Sequence, residues 1–236
     1  MAVGTSPTVR LRRLTAELRR LRKEAGLTGE DVARRLDCDP SWVSRIESGR
    51  RMIRAADLLQ LLDVYGVHGE TRERLLDLAR QARERGWWHP FGNIIPEWFQ
   101  AYVGLETEAA ELRWYEAELV PGLLQTADYY RAFISTAPQA DPPEVIDRKV
   151  ELRLVRQQRL TEEKDPLRLW AILNEAVLHR RVGDPESMRA QLDHLVHLSE
   201  RQNITIQVLP FAAGPHPAMD GSFVIIEFPE QADPDV

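Results

Sequence analysis

Ser41, Trp42, Ser44 and Arg45 fall within five residues of one another in the segment Asp39-Pro40-Ser41-Trp42-Val43-Ser44-Arg45-Ile46-Glu47. If that segment is a helix, apolar Val43 and Ile46 point back to a core, and the four polar or aromatic side chains share the opposite face. Arg45 can donate two parallel hydrogen bonds to a guanine edge, a contact worth about 1–3 kcal/mol against a wrong base. Ser41 can reach a base or a phosphate, and Trp42 can pack on a thymine methyl or on the sugar backbone. Arg50, Arg51 and Arg54 follow Gly49, where phosphates would run. They would hold such a helix in place rather than specify sequence.

Short helices are expected to position these groups. The first runs from about Val9 to Ala25, with Leu11, Leu14, Leu18 and Leu21 on one face, and stops at Gly26. Thr28 opens the second, where its oxygen can cap while Asp31 answers three residues on, and Val32, Ala33 and Leu36 turn inward. The third starts at Asp39-Pro40, a cap followed by proline at the first helical position, and ends at Gly49. Only Asp37-Cys38 separates the two, and small Ala33 lets them cross closely. Two further helices, about Ala55 to Tyr65 and Glu70 to Arg85, bring Leu58, Leu61, Leu62, Leu75, Leu76 and Leu78 to the same core.

The charge is distributed unevenly. Over 236 residues the net charge is −6, yet Val9 to Arg54 holds 13 Lys and Arg against 7 Asp and Glu, which leaves −12 for the rest. A basic module on an acidic body is the footprint of a chain in which one part meets phosphate. The single cysteine, Cys38, excludes an intrachain disulfide and a cysteine-based zinc site, and suits a reducing compartment. No stretch approaches the roughly 20 apolar residues that cross a bilayer, and MAVGTSPTVR has no apolar signal core. A cytoplasmic protein is expected.

Gly86 ends the helical series, and WWHPFGNIIPEWF follows, so the domain boundary is placed there, at 1–86 and 87–236. Ten of the seventeen aromatic residues lie between Trp87 and Tyr130, a density that points to packing. Helices are expected near Gln100 to Tyr115, Thr126 to Ser135, and from the Pro138 to Pro143 loop to about Leu160. Alternation at Leu167, Leu169, Ala171 and Leu173 predicts a strand. Asp184-Pro185 then caps a helix whose Met188, Leu192, Leu195 and Val196 face inward. Ile204 to Leu209 and Ser222 to Phe228 read as strands joined by AAGPHPAMDG, and PEQADPDV as a frayed tail. This half is expected to be α/β or α+β, and the whole chain mostly α.

LRKEAGLTGEDVARRLDCDPSWVSRIESGRR resembles the Xre, or lambda-repressor-like, helix-turn-helix family over about 60 residues. The resemblance implies a five-helix DNA-binding domain and a structural pair between Arg22 of the first helix and Glu47 of the third. Gly29 departs from the family, which often has a phosphate-reaching glutamine there; N–H groups at the helix start, Thr28 and Gly29, would take that contact. WWHPFGNIIPEWFQAYVGLE, YEAELVPGLLQTADYYRA and ITIQVLPFAAGPHPAMDGSFVIIEFP are similar to the C-terminal domain of an actinobacterial, antitoxin-like group of Xre-type regulators. That likeness implies DNA-binding regulators, often encoded beside a small acidic partner. Its members usually continue with another strand and helix.

Two other classes compete. His194 with His197, and Glu175 with His179, have spacings that can hold zinc, and loop His216 can line a pocket. Without HExxH, paired cysteines, GxSxG or a phosphate-cradling loop, however, no catalytic residue, metal or cofactor is assigned. RNA binding is disfavoured because no interleaved basic and aromatic signature appears. The expected function is a sequence-specific transcriptional regulator of double-stranded DNA. It would be a homodimer whose third helices enter successive major grooves of a pseudo-palindromic site. Its C-terminal domain would answer to a small-molecule effector or a small partner protein.

Overall fold

A computed structural model describes residues 6–139 and 141–229. The expected tail, from Glu230 onwards, lies outside the described residues, as do residues 1–5. The chain divides into two compact units, Met1–His89 and Pro90–Val236.

The first unit is helical. Helix α1 (Pro7–Glu24) is capped by Ser6, whose side chain accepts from the Thr8 N–H at 3.2 Å, and buries Leu14, Leu18 and Leu21. Helix α2 (Gly29–Arg35) buries Val32 and Ala33, and α3 (Pro40–Glu47) buries Val43 and Ile46. Asp37, at φ 49, turns the chain between them in the left-handed region, which aspartate tolerates better than most side chains. Helix α4 (Ala55–Val64) adds Leu58, Leu61 and Leu62, and α5 (Gly69–Gln81) adds Leu75 and Ala79. These side chains form one cluster, and each fully buried leucine contributes about 1.5–3 kcal/mol. Helix α5 stops at Gln81, short of the expected Arg85. The N–H groups of Arg83 and Glu84 reach back only three residues, to the carbonyls of Arg80 and Gln81, and tighten the last turn.

The second unit is α+β. After α6 (Glu97–Glu108), strand β1 (Glu111–Glu116) pairs with two later segments, so Trp114 and Tyr115 lie in a strand and not in the helix expected from Gln100 to Tyr115. Ala109, at φ −62 and ψ 138, is already extended and breaks the helical path. Helices α7 (Ala127–Ile134) and α8 (Pro143–Gln157) precede β2 (Arg168–Asn174), α9 (Glu175–His179), α10 (Pro185–Ser199), β3 (Ile204–Leu209) and β4 (Phe223–Glu227). The sheet order is β3-β2-β1-β4, parallel except for β4.

Register places Leu112 beside Leu169 and Ile226, and Leu169 beside Ile204, all buried on one face. Helix α9 packs on β2, and α10 on β3. On the opposite face Tyr115 is buried, while Trp170 and Phe223 are exposed. Arg113 there lies over Trp170 and pairs with Glu111 and Glu227 at 2.9 Å each.

In α10 the inward positions are Met188, Gln191, Leu195 and Leu198. Val196, expected inside, is 63% exposed, and Leu192 is only half-buried. The buried Gln191 donates to the Leu124 carbonyl at 2.8 Å and accepts from the Thr126 N–H at 2.7 Å, so the α10 seam satisfies the backbone at the start of α7. No described helix is long and apolar enough to cross a membrane.

Candidate nucleic-acid interface

Local chemistry starts α3 where it does. Asp39 precedes proline at the first helical position and accepts from the Ser41 N–H at 2.8 Å. The Ser41 side chain first, then its N–H, hold the Asp39 carboxyl below the usual aspartate range, and the charge of Arg45 adds to this. Gly49, at φ 73, ends the helix within 3.6 Å of the Leu11 side chain, measured from where a Cβ would stand.

The helix terminus is clamped from α1. Arg22 donates from Nε to Glu47 Oε1 at 2.6 Å and from Nη2 to Oε2 at 2.9 Å, while its Nη1 serves the Leu27 carbonyl at 2.9 Å. Arg19 donates to the Glu47 carbonyl at 3.0 Å. Two cations at a helix C-terminus complement its dipole and satisfy groups that the helix leaves open. Hydrogen bonding to Glu47 raises the pKa of Arg22 against the opposing effect of burial.

With α3 fixed, Ser41, Ser44 and Arg45 are exposed, and so are Arg50, Arg51 and Arg54 beyond it. Several arginines elsewhere in this unit are matched: Arg20 pairs with Glu17 and Glu24, Arg34 with Asp31, Arg72 with Asp63 and Arg80 with Asp77, whereas Arg35 and Arg85 have no carboxylate within ion-pair distance among the described residues. Among the described residues no carboxylate stands within ion-pair distance of Arg45, Arg50, Arg51 or Arg54. Sequence reasoning named these arginines but not their lack of partners, which depends on where carboxylates from other elements fall.

Two expected contacts are placed differently. Trp42 does not stand free with Ser41 and Arg45; it is half-buried and packs against the core, because its aromatic bulk gains more from apolar neighbours than from water. Thr28 has its N–H and hydroxyl committed to the Asp31 carboxylate, at 3.0 and 2.6 Å, and accepts from the Asp31 N–H at 3.1 Å. That capping box sets a negative charge where a phosphate was expected. Gly29 follows it as the first residue of α2.

Glu175, His179, His197 and His216 make local contacts. Glu175 accepts from the Phe211 N–H at 2.7 Å and faces His179 Nε2 at 3.4 Å. His197 faces Glu200 at 3.7 Å, and burial, then His197, lower the pKa of His194. His216 Nδ1 accepts from the Ala218 N–H at 3.2 Å and its ring meets Tyr115, so it locks a turn. Among the described residues no three His, Cys, Asp or Glu side chains gather as a metal site requires. Burial, Asp39 and Asp37 push up the Cys38 thiol, which keeps it protonated and weakly nucleophilic.

Residues 99–236 match a family model described as a domain of unknown function, DUF5753. Residues 13–75 match a model described as a helix-turn-helix domain, which points to a DNA-binding regulator. No curated protein and no solved structure matches the chain.

Proposed function

The chain belongs to the family defined by the DUF5753 domain, and we propose that it is a sequence-specific transcriptional regulator that sets α3 in the major groove of double-stranded DNA. One observation carries the reading: exposed Ser41, Ser44 and Arg45 lie on the outer face of a clamped helix, followed by Arg50, Arg51 and Arg54, and among the described residues none of these four arginines has a carboxylate within ion-pair distance. Ser41, Ser44 and Arg45 contact base edges, with Trp42 lending an edge of its ring. Arg50, Arg51 and Arg54 meet phosphates, each cation releasing counterions on contact.

The protein works in the cytoplasm as a homodimer, because one small module buries too little surface for high affinity and two across adjacent grooves sum their contacts. The Xre-type pattern around Ser44-Arg45-Ile46-Glu47 supports this mode. The second unit controls binding through an effector. The antitoxin-like alternative, a unit that mainly holds a small partner protein, has sequence resemblance as its support.

Selection of bound duplexes from random oligonucleotides by the full chain, followed by anisotropy titrations at two salt concentrations, tests the proposal. A recurring motif bound about 10³-fold or more above random DNA is expected. Equal binding of all sequences, or none at low salt, overturns it.

A further inference from the structure

We propose that the second unit carries a binding site for a small monocarboxylate with an apolar body, held by Arg153. A cavity of about 150 Å³ opens between the segment before α6, α7 and α8. Ile94, Ile95, Pro96, Phe99 and Leu152 give it apolar walls, and α8 brings Lys149, Arg153 and Arg156 to it on successive turns. That volume is about the size of protein cavities that take a benzene ring.

The three cations differ in what answers them. Arg156 is 3% exposed and doubly bonded to Glu106, at 2.7 Å on each oxygen. Lys149 pairs with Asp141. Arg153 has no carboxylate within ion-pair distance among the described residues, and its Nε, enclosed from solvent, has no hydrogen-bond partner. Its guanidinium lies 3.7 Å from the centre of the Tyr130 ring. Burial and then the charge of Arg156 both weigh against its cationic form.

The half-buried guanidinium has the Tyr130 ring but no carboxylate beside it, so an anion entering the cavity would complete its hydrogen bonding and balance its charge. The balance also sets the ligand's charge. With Lys149 and Arg156 answered, one positive charge is left over, which a carboxylate cancels and a phosphate dianion would overshoot. Arginine's planar fork matches the two oxygens of a carboxylate. Gly122 lies against Arg153: a Cβ there would meet Arg153 Nη1, and the guanidinium would have to shift to make room.

This deepens the effector part of the proposed function, yet it stands on the second unit alone, and its test reads no DNA. Isothermal titration of the full chain would use benzoate, benzamide, phenyl phosphate and inorganic phosphate as probes. Benzoate should bind saturably with a Kd below about 1 mM. Benzamide, which keeps the ring and loses the charge, should bind at least ten-fold more weakly, and both phosphates more weakly than benzoate. Arg153→Gln with an unchanged circular dichroism spectrum should lose at least ten-fold for benzoate. If that variant does not fold, the comparison of benzoate with benzamide on the unaltered chain, and a weakening in Arg153→Lys, decide instead. Absence of saturable benzoate binding, equal affinity for benzamide, or tighter binding of phenyl phosphate overturns the proposal.

Discussion

Arg22 and Glu47 join the first helix to the end of the third through two hydrogen bonds, Nε to Oε1 at 2.6 Å and Nη2 to Oε2 at 2.9 Å. The pair lies between the helical core and the face proposed to meet DNA, so it couples stability to the aim of α3. Glu47 is only 7% exposed, and removing Arg22 leaves a carboxylate with the more distant Arg19, at 3.9 Å, as its main counter-charge. Arg22→Met should cost about 3 kcal/mol, while Arg22→Met with Glu47→Leu should cost much less, since no charge is then stranded. Urea denaturation of the two single variants and the double variant measures the coupling. Additive losses would assign the pair no joint role.

Arg45 and Arg50 should part company in binding assays. Arg45→Ala is expected to lose about 1–3 kcal/mol on the selected site and to relax preference at one base pair, with little change on random DNA. Arg50→Ala should weaken every duplex alike and reduce the slope of log affinity against log salt by about one. Anisotropy titrations on both kinds of DNA across a salt series distinguish the two. A uniform effect of both substitutions would remove base reading from Arg45.

How much of this was legible in the sequence follows the range of the interactions involved. The first unit is read well because its signals are local: leucines three and four apart, the Thr28 and Asp31 box, Asp39-Pro40 and Gly49 each act within a turn or two. The strands β2, β3 and β4 show in alternation and β-branched content. Strand β1 does not, because Glu111 to Glu116 follows a helix with no glycine or proline between them, and only pairing with β2 and β4, far along the chain, makes it extended. Val196 differs for the opposite reason: its apolar side chain predicts an inward position, while the seam position belongs to the polar Gln191, which satisfies the backbone at the start of α7. Of the proposed interface, the helix face was readable, but the unmatched state of its arginines and the half-burial of Trp42 depend on neighbours from other helices.

The buried pair of Arg156 and Glu106 should dominate the stability of the second unit. Both are nearly inaccessible, at 3% and 2% exposure, and Glu106 holds the Arg156 pKa above its ordinary value in spite of burial. Glu106→Gln would leave Arg156 charged beside the unpaired Arg153, and a loss of about 3–5 kcal/mol is expected. Denaturant titration followed by tryptophan fluorescence, with Trp114 and Trp170 in this unit, reports it. A change under about 1 kcal/mol would mean that water reaches the pair and answers the charge.

Glu116 should make the second unit less stable as pH rises. Burial pushes its pKa above the ordinary glutamate value, and the Ser222 hydroxyl, at 2.7 Å, and the Trp114 indole N–H, at 3.0 Å, offset this only in part. A carboxyl whose folded pKa is raised binds its proton more tightly in the native state. Its favourable contribution is therefore whole below the unfolded pKa, near 4.5, and is lost as pH climbs through the folded value. Glu116→Gln imitates the protonated form at every pH. Urea midpoints of the two proteins should nearly coincide at pH 4.5 and separate in favour of the glutamine variant by pH 7.5. The capping aspartates Asp39 and Asp184 and every other titrating group act equally in both proteins and cancel in the difference. A gap that stays constant with pH would show that the two hydrogen bonds fully offset the burial of the Glu116 charge.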